Sequence, residues 1–279
     1  MANPDLMHSE SILQPGRAAA DRLMAGTLVF LLLVSLAVAA FNATWGVALV
    51  VGIPALLVPY AIYRMGPGSL AARIAMASAF MIFCALLIQQ TRGMIEAHFG
   101  IFALLAFLLY YRDWRPLVVA AALIAVHHLA FNYMQAAGLG VYVLFDGPNL
   151  GIILIHAAYV VVETGILIYM AVNLRREAVE SAQVARLAER IGQGDLTSAA
   201  DVQSLAGLPL LAKVGEMQKH LADTLGGVNR QSSEMTRTAA DMMASSRQVD
   251  DAMGRQSEAT QTIAATIEEL TVSIQHLSD

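Results

Sequence analysis

Residues 150–180 read LGIILIHAAYVVVETGILIYMAVNLRREAVE. Within 150–173 the one formal charge is Glu163. A helix of that length, rising about 1.5 Å per residue, crosses a hydrocarbon core of ~30 Å. At Arg175-Arg176-Glu177 the chain turns polar, yet no Gly or Pro intervenes before Gly192. One helix is therefore expected to cross a membrane and continue into water.

Upstream, the same composition recurs. Residues 23–174 contain no Lys and only four carboxylates, Glu96, Asp113, Asp146 and Glu163. Hydrophobic residues make up 57% of the 279-residue chain and charged residues 14%, a balance that leaves a soluble domain too little charge to cover its surface. Six segments are long enough to span: 23–41, 45–63, 70–90, 93–111, 116–137 and 150–173. Arg17 and Arg22 before an apolar run ending in Ala39-Ala40 imitate a secretion signal, but the run is long and more spans follow at once. It reads as a retained first span after a cytoplasmic segment, residues 1–22, with cleavage as the alternative.

Orientation follows from the arginines. With the N-terminus inside, the inner side receives Arg17, Arg22, Arg64, Arg73, Arg112, Arg115, Arg175 and Arg176, and the outer side only Arg92. That is the asymmetry of a positive-inside membrane protein. Arg73, one turn inside the third span, is expected to snorkel to the interface. No basic run points to nucleic acid, and Cys84, the only cysteine, excludes an intrachain disulfide. No loop is large enough for an extracellular ligand-binding domain, so any sensing takes place within the spans or at their outer rim.

An ionisable residue inside a span is costly and by default marks function. His98, His127, His128, His156, Glu96 and Glu163 all fall within the spans. Helix rise places His127 and His128 ~16–18 Å up the fifth span, His98 and His156 ~8–9 Å below the outer end of theirs, and Glu163 near the middle. All six thus lie between the midplane and the outer surface. His156, Tyr159 and Glu163 share one helix face, as do His128, Asn132 and Gln135. Adjacent His127 and His128 point about 100° apart, so one of the pair is expected to face a shared centre. Imidazole and carboxylate suit a transition metal, Cu, Fe or Zn, with Cys84, Met81, Met94 and Met134 as soft ligands nearby. A bis-histidine haem b, a proton-sensing network and plain interhelical hydrogen bonding are the alternatives.

Beyond Arg175 the chain is polar. Val184, Leu187 and Ile191 have amphipathic helix spacing, Gly192 and Gly194 are expected to stop that helix, and a connector runs to about Gly207. A second amphipathic helix carries Leu211, Val214, Met217, Leu221 and Leu225. Heptads then follow without a break. Val228, Met235, Met242, Val249, Gln256, Ile263, Leu270 and Leu277 take position d, with Met253, Ile267 and Ile274 among position a. That pattern predicts a coiled coil with a soft middle of Ser, Ala, Gln and Thr.

Helix, Gly192-Gln-Gly-Asp-Leu-Thr197, connector, helix resembles a HAMP relay module, although the first helix lacks the family's early Pro. Ala264-Ala-Thr-Ile-Glu-Glu-Leu-Thr-Val-Ser-Ile resembles the adaptation region of methyl-accepting chemotaxis proteins, with Val272 where a small residue is usual. His98-Phe-Gly and Arg112-Asp-Trp-Arg-Pro with His127-His128 resemble the multi-span sensor modules of some bacterial chemoreceptors. The resemblance implies an all-α chain: a six-helix transmembrane bundle over residues 23–174, a HAMP-like helical bundle over 175–228, and a parallel dimeric coiled coil over 229–279. It implies a non-enzymatic, multi-pass homodimer in the lipid of a bacterial inner membrane, with both termini cytoplasmic. Glu269, and secondarily Glu258, become candidate methylation sites. A chemotaxis histidine kinase, its coupling adaptor and the methylation enzymes become the expected partners. The family's hairpin tip and return helix lie beyond Asp279, so the chain is expected to hold input and transmission only. A metal or proton transporter or redox protein on a dimerising stalk, and the sensor input of a histidine kinase or cyclase, are the competing readings.

Overall fold

The computed structural model describes residues 4–197 and 209–278. Those residues form seven α-helices and one 3-10 turn, with no strand among them. The helices are α1 Pro4–Asn42, α2 Trp45–Met65, α3 Leu70–Gln90, α4 Ile95–Phe107, α5 Trp114–Ala136, α6 Leu150–Gly192 and α7 Pro209–Ser278. Five stretches are long and apolar enough to cross a membrane: Glu10–Asn42, Trp45–Met65, Leu70–Gln90, Trp114–Ala136 and Leu150–Gly192. The expected fourth span is instead two joined pieces, α4 and the 3-10 turn Leu108–Tyr111. Thirteen α residues and four 3-10 residues rise ~28 Å together, because the 3-10 form adds about 2.0 Å per residue.

The chain divides into two compact units, Met1–Arg186 and Leu187–Asp279. In the first, α3 is central and packs against α1, α2, α4 and α5. Small residues such as Ala72, Ala77 and Ala79 line it and let neighbouring helices approach. Phe80, Phe83, Met76 and Met81 fill the space between helices. The outer helices turn Phe30, Leu33, Val50, Val126, Val161 and Val162 outward, as lipid-facing surfaces do.

The end of the first unit that carries Arg17, Arg73 and Arg115 is held by ions rather than oil. Arg73 does not snorkel; it is 2% exposed and pairs with Asp113, itself 2% exposed. Asp113 also caps α5 by accepting the Arg115 backbone N–H at 3.1 Å, a turn that Arg112 enters in the left-handed region at φ +52°. Buried Asp21 accepts the Gly68 N–H at 2.5 Å and the Tyr111 hydroxyl at 2.8 Å. Arg17 pairs with Glu10 and donates to the Tyr111 carbonyl at 3.3 Å. Helix α1 thus begins well before the expected span, and its polar first half is bolted to the bundle.

The second unit is simpler. Helix α6 ends at Gly192, as its glycines predict, and Gly194 takes φ +82°. Asp195 closes the turn by accepting from Thr197 N–H at 3.1 Å and from Arg190 Nη2 at 2.7 Å. Those bonds hold its carboxyl down to about 2. The expected connector to Gly207 lies mostly outside the described residues. Helix α7 then runs 70 residues without interruption, and its d-position side chains, Met235, Met242, Val249 and Ile263 among them, are exposed along the single chain.

Candidate functional site

Four histidines from three helices meet in the first unit. The His98 ring centre lies 5.3 Å from that of His128 and 5.2 Å from that of His156, and His128 and His156 are 6.0 Å apart. His127 extends the group, 5.3 Å from His128 and 4.0 Å from Phe131. Of the two one-face patterns only His128 and His156 meet, and Tyr159, expected on the His156 face, is exposed.

The carboxylates do not join. Glu96 sits exposed in the first turn of α4, beside an open cavity walled by Leu144 to Asn149. Glu163 is half-buried two turns below His156, and its Oε2 has no hydrogen-bond partner. Cys84 and Met81 are buried in the apolar core. Asn132 and Gln135, expected beside His128, serve a different purpose. Asn132 Oδ1 accepts from Asn149 N–H at 2.8 Å, and Gln135 donates to Leu144 O at 2.8 Å while accepting from Val143 N–H at 2.9 Å. From α3, Gln89 accepts from Tyr142 N–H at 2.7 Å and donates to Gly140 O at 3.2 Å. Side-chain amides thus bond the backbone at Gly140, Tyr142, Val143, Leu144 and Asn149 and hold that loop over the histidines, with Val143 fully buried. The sequence signal for this cover was present in Gln89, Asn132 and Gln135, three amides at the outer ends of apolar helices.

Hydrogen bonding sorts the histidines into two kinds. His98 places Nδ1 3.0 Å from Met94 O and Nε2 3.1 Å from Val143 O. A carbonyl only accepts and a neutral imidazole carries one N–H, so the tautomer of His98 decides which of the two carbonyls it bonds, and the Nε2–H form ties the cover loop to α4. His128 and His156 use one nitrogen each. Nδ1 of His128 donates to Ile124 O at 2.9 Å, and Nδ1 of His156 donates to Ile152 O at 2.8 Å. Fixing the proton on Nδ1 leaves Nε2 with a lone pair. The His128 Nε2 is buried without a partner, as is that of His127. His128 and His156 line the same small cavity of about 30 Å³, closed by Ile101, Phe102, Ile153 and Val160. On the other side of α5, His127 borders an apolar cavity of about 250 Å³ between α2, α3 and α5.

No family profile, curated protein or solved structure matches this chain. What the site can do follows from its own chemistry. A cavity of 30 Å³ holds one or two water-sized bodies. Imidazoles that share one ion through bonds of about 2.0–2.1 Å keep their ring centres roughly 5–6 Å apart, the spacing seen here. A haem macrocycle needs a slot many times larger. Among the described residues no three His, Cys, Asp or Glu side chains stand ready as a complete metal cage. The arrangement is two anchored imidazoles facing one small space, with His98 adjacent and engaged elsewhere.

Proposed function

We propose that the chain is a six-span membrane receptor that binds a transition metal ion at His128 and His156 and transmits that event along α6. One observation carries this: both residues keep Nδ1–H on their own helix carbonyl and leave Nε2 toward a one-ion cavity. Apolar walls around the orphaned Nε2 of His128 make little sense as packing, since buried polar atoms normally find partners. A metal would supply the missing electrophile, and the Nδ1–H bonds to Ile124 and Ile152 would orient and enrich the ligands.

His98 provides the switch. Ligation by its Nε2 requires the Nδ1–H tautomer and gives up the Nε2–H bond to Val143 O that ties down the cover loop. The ion therefore favours a state that differs at the outer end of α6, as a transmitted signal demands. Helix α6 holds His156 near one end and continues unbroken to Gly192. The α4 and 3-10 pair supplies the sixth crossing. The stop at Gly192 and restart at Pro209 support the HAMP-like relay, and the exposed seam of α7 suits a homodimeric coiled coil, since a lone helix of such poor composition is marginal in water. In a bacterial inner membrane the cytoplasmic α7 would present exposed Glu258 and Glu269 to methylation enzymes and address a chemotaxis kinase and its adaptor.

The test is metal content and titration. Purified full chain in lipid nanodiscs, supplied with Cu, Fe or Zn, is expected to hold about one ion, and both His128→Ala and His156→Ala to lose it. Protein that stays empty with all three metals overturns the site. A second reading is a proton relay, favoured by the 3.4 Å approach of the two Nδ1 atoms of His127 and His128. Proton flux in proteoliposomes, abolished by His127→Ala, would decide for it.

A further inference from the structure

At the opposite end of the first unit, a second open cavity of about 520 Å³ is walled by Arg17, Arg73, Arg115 and Arg175, with Glu10 as its one acidic residue. The four arginines come from α1, α3, α5 and α6, so no single helix pattern reveals them together. Asp21 and Asp113 stand behind this wall, engaged by Gly68, Tyr111, Arg73 and Arg115, and leave the group net positive.

Glu10 fills the cavity badly. Its carboxylate pairs with Arg17 and reaches Arg175 at 3.1 Å, but Arg115 stands 3.7 Å away and Arg73 3.9 Å, beyond hydrogen-bond reach. Nη2 of Arg17 is buried with no acceptor at all, although Arg17 is only 3% exposed. A buried guanidinium N–H without an acceptor is an expensive omission. Two carboxylate oxygens cannot serve four guanidinium forks, whereas a tetrahedral oxyanion with three free oxygens and two charges can.

We infer that this cavity is a binding site for a phosphate group, held by Arg17, Arg73, Arg115 and Arg175 in place of the Glu10 carboxylate. A soluble phosphate and the headgroup of an acidic phosphomonoester lipid share that chemistry. Exposed Tyr110 and Trp114 flank the same end, at the level where interfacial aromatics and headgroups meet. The inference does not depend on the histidine site.

The experiment uses the full chain in phosphatidylcholine nanodiscs, with thermal unfolding and equilibrium binding as readouts. One arm adds inorganic phosphate, and the other replaces part of the lipid with phosphatidic acid. Saturable stabilisation in the first arm assigns a soluble anion, and in the second arm alone a lipid headgroup. Two variants at half-exposed positions keep the fold: Glu10→Gln removes the competing carboxylate and is expected to tighten binding about fivefold, and Arg115→Gln to weaken it about tenfold. No response in either arm, a response matched by chloride at equal ionic strength, or affinities unchanged in both variants overturns the assignment.

Discussion

The two ends of the first unit treat buried polarity in opposite ways. At the arginine end, Asp113, Asp21 and Tyr111 are joined to partners from several helices and the charges of Arg73 and Asp113 offset each other, although Nη2 of Arg17 is left without an acceptor. At the histidine end, side-chain amides bond the cover loop at Gly140, Tyr142, Val143, Leu144 and Asn149, while His127 and His128 each keep a buried nitrogen with nothing to bond. Satisfied groups specify a fold, and unsatisfied ones in a well-packed region hold capacity for a ligand. The contrast gives the Arg73–Asp113 and Asp21–Tyr111 pairs a structural role and supports the proposed ligand role of the imidazoles, and it can be broken at several points.

The largest effect is expected where a buried charge loses its counter-ion. Asp113→Ala strands Arg73 and should cost about 3–5 kcal/mol of stability, read as a fall in detergent-solubilised unfolding temperature. Near-normal unfolding would show the inner pairs to be ornamental. Next comes Gly93→Ala. Gly93 takes φ +83°, and an added Cβ would meet the Leu144 carbonyl carbon at 2.4 Å. The loop must lift, at a cost of about 2 kcal/mol, and amides of residues 141–145 should exchange faster with solvent. Gln135→Ala removes three bonds to the same loop and should give a similar exchange pattern with a loss of about 1–2 kcal/mol.

His156→Ala sharpens the comparison from the other side. It should cost only about 0.6 kcal/mol of stability, the usual worth of an intramembrane hydrogen bond, while abolishing metal uptake. A large stability loss with uptake intact would make His156 structural. The smallest effect belongs to the turn after α6. Folding lowers the Asp195 carboxyl below its free value, so its bonds to Arg190 and Thr197 hold above about pH 4 and are lost as pH falls through about 2. Asp195→Asn should remove that acid dependence, seen as faster Thr197 amide exchange at neutral pH, and leave the histidine end untouched.

Much of the helical layout was legible from composition. Five of the six expected spans coincide with stretches long and apolar enough to cross, and the stop at Gly192 stands where its glycines put it. The histidine convergence was legible too, because His128 and His156 sit on definable faces at matching depth. The carboxylates stand apart for two reasons: Glu96 is exposed at the mouth of α4, and Glu163, on the His156 face, lies two turns away along α6. The inner arginines were legible only as an orientation signal. Counting sides of a membrane cannot show that Arg73 turns inward to Asp113, a residue 40 positions away.

The sequence by itself determined where helices lie and which depths their polar groups occupy. Both are local consequences of a 1.5 Å rise and of backbone groups that must be satisfied within each helix in oil. Only the tertiary structure decided which polar atoms are spent and which are left over. That outcome depends on helix rotation and loop path, set jointly by all the packed neighbours. It is why His98, identical in kind to His128 and His156, serves as a bolt while they keep a nitrogen free.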